Sequence, residues 1–121
     1  MSARRSPWAS VSAISLILML TLMPFPDGSG QPLLPGLDKL AHAGMFGLLA
    51  LAFAKDMRPF RGGKALFGCA VALALALGTE LAQALIPGRG ADAADALADM
   101  AGFALGSAAA RLWSLKRVKI Y

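Results

Sequence analysis

Residues 65–106 read ALFGCAVALALALGTELAQALIPGRGADAADALADMAGFALG. An apolar block from about Ala65 to Ile86 is free of charge as far as Gly78 and then holds Glu80 and Gln83. The tight turn PGRG follows. A second block, about Ala91 to Trp113, opens with Asp92, Asp95 and Asp99 and then runs uncharged through Ala110. Each block has about 20 residues, enough to cross roughly 30 Å of hydrocarbon at 1.5 Å per residue. Lipid offers no partner for backbone N–H and C=O groups, so such segments must be helical.

Two further blocks precede these, from about Trp8 to Phe25 and from about Leu37 to Ala54, the latter with Asp38, Lys39 and His42 near its start. The sequence therefore predicts an all-α, integral membrane four-helix bundle. It forms a single domain over 1–121, with helices at about 8–25, 37–54, 65–86 and 91–113. The connections are short: PFPDGSGQPLLPG, the basic KDMRPFRGGK, and PGRG. Block one follows Arg4 and Arg5 as a signal peptide would. It lacks an A-x-A cleavage site, however, and three more blocks follow, so it reads as an uncleaved first helix.

Composition agrees. Of 121 residues, 57% are hydrophobic and 16% charged, with mean hydropathy +0.60; soluble domains carry about 45–50% and about 25%. Disorder and disulfide-stapled scaffolds are excluded, and the single Cys69 reads as a packed thiol. The net charge of +5 does not indicate nucleic acid, because the basic residues are parcelled out between apolar blocks rather than arranged as a stripe. With alternating spans and the N-terminus inside, ten of the twelve Lys and Arg fall on the inner side, leaving only Lys39 and Arg89 outside. That bias places both termini in the cytoplasm. Six of the seven acids, all but Asp56, fall on the outer half.

The outer half carries the chemistry. Asp92, Asp95, Asp99, Gly102 and Gly106 are spaced 3, 4, 3, 4 and share one helix face. The acids thus point the same way as a small-residue row that lets backbones approach closely in lipid. Asp99 and Glu80 are expected roughly 9–10 Å inside their helices. His42 lies one turn from Asp38, and Gln83 one turn from Glu80. Ionisable groups at such depth are costly and usually functional. Five acids (Asp38, Glu80, Asp92, Asp95, Asp99) face Lys39, Arg89 and His42, so some must be protonated or a cation or cationic ligand must enter. Plainer roles compete with this reading. Asp92 with Asp95, and Asp38 after Pro35-Gly36, are placed to cap helices. Lys39 and Arg89 are placed to snorkel, and His42 to be a satisfied interior histidine. His42 with Glu80 and an Asp is also a metal-type set, though without ligand-spaced histidines. No nucleotide-binding glycine loop, nucleophile elbow, CxxC pair or HExxH helix occurs.

DKLAHAGMFGLLAL (38–51) and ELAQALIPGRGADAADALADMAGFALG (80–106) together resemble the VanZ-like family of small bacterial membrane proteins. Its pattern is DKxxH, then ExxQ, an Arg in the turn, two Asp three apart, and a Gly-x-x-x-Gly helix. Asp38, Lys39, His42, Glu80, Gln83, Arg89, Asp92, Asp95, Gly102 and Gly106 match it; Asp99 departs from it, standing where the family commonly has Asn. The resemblance implies a multi-pass protein of the bacterial cytoplasmic membrane. The family takes its name from a protein conferring low-level teicoplanin resistance, but nothing in this chain makes antibiotic resistance its own task.

Three functions stand open. The first is an outward-facing polar pocket that binds or modifies an envelope lipid, a lipid-linked precursor or an amphiphilic antibiotic. The second is an intramembrane hydrolase or transferase, with Glu80 or Asp95 as base, His42 as acid–base partner and Arg89 as anion clamp. The third is a scaffold whose polar groups only hold helices together. A bound cation is allowed but not required, and oligomeric state is left open.

Overall fold

The computed structural model of the chain describes residues 6–22, 37–58, 60–85 and 93–120. These form four helices and, among the described residues, no strand: α1 Trp8–Leu22, α2 Leu37–Asp56, α3 Gly63–Gln83 and α4 Ala93–Ile120. Local chemistry sets several ends. Ser6 Oγ accepts from the Trp8 N–H at 3.2 Å, a serine cap ahead of Pro7, whose missing N–H and fixed φ suit a first turn. Gly62, at φ 61°, starts α3 in a conformation that favours glycine. Among the described ends, two differ most from the sequence reading. Helix α4 continues seven residues beyond Trp113, because the basic segment after it contains no Gly or Pro to stop it. Regular α3 ends at Gln83, so Glu80 sits in its last turn rather than two turns inside.

Contacts fix the directions. The start of α1 meets the end of α2, where the Ser10 N–H donates to Asp56 Oδ2 at 2.7 Å. The end of α1 meets the end of α3, where Gln83 Nε2 donates to the Thr21 carbonyl at 2.7 Å. The starts of α2 and α4 meet through Lys39 and Asp95. The helices therefore run up, down, up, down. The most intimate pair is the parallel α2 and α4, with α1 on α2 and α3 touching α4. Alanine and glycine explain that intimacy: a Cβ on Gly102 would collide with the Ala43 backbone, and one on Gly106 would stand 2.5 Å from the Gly47 carbonyl oxygen. Phe46, Leu49, Phe53 and Phe103 fill the core beside this seam with Ile17, Ala50, Ala72 and Ala76. Phe53 and Phe103 meet edge to face at 6.0 Å.

The polarity of the molecule is inverted. Among the described residues twenty large hydrophobic side chains are exposed and eight hydrophobic residues are buried, while seven buried residues are polar or charged. Leu66, Leu81 and Leu85 are each more than 70% exposed. Cys69 is exposed too, a correction to the packed thiol expected from its apolar surroundings. It faces outward because α3 turns its Gly68, Ala72 and Ala76 row inward, where Gly68 lies against the Phe60 and Phe53 rings. Among the described residues one helix, α3, is long and apolar enough to cross a membrane; α1 is apolar but has 15 residues.

Candidate functional site

The polar end of the bundle gathers side chains from all four helices. Both α2 and α4 begin there. Helix N-termini carry partial positive charge, and Asp95 lies in the first turn of α4, where a carboxylate is favoured. Its Oδ1 accepts from Lys39 Nζ at 3.1 Å, and its Oδ2 lies 3.7 Å from His42 Nε2. One turn further in, His42 Nδ1 and Asp99 Oδ1 share a hydrogen bond of 2.6 Å, its donor either the ring N–H or a protonated carboxyl. His42 is 2% exposed and Asp99 fully buried. Both groups are buried, and a hydrogen bond is electrostatically stronger in such a low-dielectric interior than in water.

Glu80 comes to this pair from α3. One nitrogen of His42 and one carboxylate oxygen each of Glu80 and Asp99 all lie within 4.8 Å of one another, and all three residues are buried. Gln83, one turn beyond Glu80, donates to the carbonyl of Thr21 near the end of α1. Thr21 and Thr79 return their hydroxyls to the carbonyls of Ile17 and Leu75, each four residues back. That bond lets a hydroxyl face an apolar interior without an outside partner. Two acceptor oxygens at this end, Asp99 Oδ2 and Gln83 Oε1, are buried with no hydrogen-bond partner among the described residues.

The structure thus brings Lys39, His42, Glu80, Asp95 and Asp99 together, with Gln83 one turn beyond Glu80 and bonded to α1. Arg89 and Asp92 lie outside the described residues. Asp38 is the second residue of α2, past the capping position expected for it, and its side chain is outside the described set. Lys39, half exposed, pairs with Asp95. Gly102 and Gly106 bring α4 onto α2, the helix that carries His42. Sequence reasoning missed Asp56, the one acid at the basic end. Its carboxylate accepts from the first turn of α1, a cap supplied by another helix that no local spacing announces. A hollow of about 340 Å³ also lies at that end, lined by Ser6, Trp8, Ala9, Lys55, Asp56 and Arg58.

The VanZ/LLP1 family model matches residues 3–114, almost the whole chain, taking in α1 to α3 and α4 as far as Ser114. The chain belongs to the VanZ/LLP1 family. Searches of curated proteins and of solved structures find no match to it. Within this VanZ/LLP1 chain the matched span holds the entire polar end, including both ion-paired helix starts and the Glu80 turn.

Proposed function

We propose that this VanZ/LLP1 chain is a multi-pass protein of the bacterial cytoplasmic membrane. All four helices span the bilayer, both termini are cytoplasmic, and the polar end faces the outer leaflet. There it binds the headgroup of an envelope lipid, a lipid-linked precursor or an amphiphilic antibiotic. The observation that carries this reading is the inverted polarity. A soluble bundle of this size would not leave twenty large hydrophobics exposed while burying His42, Glu80, Asp95 and Asp99. In lipid the same distribution is the stable one, with leucines outward and ionisable groups turned in. The asymmetry of charge supports the orientation, since Lys55, Arg58, Arg61, Lys64, Arg111 and Lys116 all belong to the end opposite the site.

Orientation is checked by thiol labelling in a Cys69→Ala background. A cysteine at Ser29 reacts with an impermeant maleimide added outside intact cells, and one at Gly63 does not. The opposite pattern would move the site to the cytoplasmic face.

Binding is checked by lipid mass spectrometry on the purified protein. One headgroup class is expected to be enriched over a control membrane protein. Glu80→Gln should lose that enrichment while keeping its melting temperature. A wild type with no enriched lipid, together with a Glu80→Gln that melts early, would leave only a scaffold. The close His42–Asp99 pair favours a second reading, acid–base chemistry on the bound lipid, in which His42 moves the proton and Asp99 orients its ring.

A further inference from the structure

We infer that His42, Glu80 and Asp99 form a three-ligand site for one divalent cation of the zinc or manganese class. Its remaining coordination position faces the headgroup that the reading above brings to this end. The donor set comes from three different helices, so no helix-capping role explains its convergence. One imidazole nitrogen and two carboxylate oxygens lie within 4.8 Å of one another, all from buried residues. A tetrahedral cation with bonds of about 2.0–2.2 Å holds its ligands roughly 3.4 Å apart. The three donor atoms, within 4.8 Å of one another, lie on the scale of that spacing.

A second, independent observation points the same way. Asp99 is fully buried, yet its Oδ2 has no hydrogen-bond partner among the described residues. Nor has Gln83 Oε1, one turn from Glu80. Buried acceptors of this kind are costly and call for an ion or a water. Lone pairs with no protein donor are what a cation and its bound water take up.

The surroundings match those of a metal ligand. His42 Nδ1 and Asp99 Oδ1 share a 2.6 Å hydrogen bond that a cation between them would replace, while Nε2 lies 3.7 Å from Asp95 Oδ2. Asp95 is in turn held by Lys39 at 3.1 Å. A metal-bound histidine characteristically presents its other nitrogen to a carboxylate that is itself tied down, which fixes the ring and its tautomer. The mixture of one nitrogen and two carboxylate donors suits zinc or manganese; calcium requires six to eight oxygens, and magnesium prefers octahedral oxygen. Three protein ligands leave a position for a substrate oxygen or water. This part of the inference rests on the lipid-binding reading; the binding of the cation does not.

The test uses full-length protein in detergent, stripped with EDTA and titrated calorimetrically with Zn²⁺ alone. One Zn²⁺ per chain is expected, with a higher melting temperature on loading. Affinity should fall in His42→Gln and in Asp99→Asn by at least roughly 100-fold, the upper end of what losing an outer-shell partner costs. Asp56→Asn, at the far end, should bind as the wild type does. Co²⁺ substitution gives a visible d–d band from the wild type alone, so the result does not depend on a variant that folds. Binding well below one equivalent, no Co²⁺ band, or equal affinity in Asp99→Asn would overturn the site. Mass spectrometry of the stripped and loaded protein separates the two claims. Zinc without an enriched lipid keeps the cation site and removes the lipid-binding reading, and an enriched lipid without zinc does the reverse.

Discussion

Alanine at Gly102 is expected to cost the bundle at least about 3 kcal/mol, the upper end of what overpacking a well-packed seam costs. The added Cβ would enter the backbone of Ala43, not the far end of a side chain, so no rotamer change relieves it. The parallel pair α2 and α4 would have to separate, and that seam positions His42 against Asp99 and Lys39 against Asp95. Gly106→Leu should act similarly, since even a Cβ there stands 2.5 Å from the Gly47 carbonyl oxygen. Leu105→Ala, on a side chain 71% exposed, should be close to neutral. Gly44→Ala is the informative control. Nothing lies within 4 Å of its added Cβ, so removing a helical glycine should be neutral or stabilising by up to about 1 kcal/mol. Thermal unfolding in detergent reads all four variants. If Gly102→Ala melts with Gly44→Ala, the two helices do not meet through this face.

Removal of the His42 imidazole should rank next. In His42→Ala two carboxylates, Asp95 and Asp99, stay buried without the ring between them. Leaving a buried hydrogen-bonding group without its partner costs about 1–3 kcal/mol, and more where that group is charged. The double variant His42→Ala with Asp99→Ala should then cost much less than the two single losses summed, with a coupling of about 1–3 kcal/mol. Lys39→Ala should cost only about 0–1 kcal/mol, as expected for a pair whose lysine side chain is 45% exposed. Denaturant titration in mixed micelles measures the cycle. Strict additivity would mean that His42 and Asp99 do not act as a unit.

The sequence determined what short-range physics determines. Apolar runs uninterrupted by Gly-Pro clusters dictated four helices, and 3.6 residues per turn put Asp95, Asp99, Gly102 and Gly106 on one face. The DKxxH and ExxQ motifs carried the family, and the unequal distribution of Lys and Arg set apart a basic end. Partners were a different matter. Five acids and three bases on one side of the sequence permit many pairings. Only the rotation of each helix about its axis selected Lys39 with Asp95 and His42 with Asp99. The same rotations turned Cys69 outward, laid the glycine face on α2, and sent Asp56 to cap a helix 46 residues away. Periodicity says which residues share a face. It does not say which neighbour that face meets, because burial and ion pairing are settled jointly by all four helices as they pack.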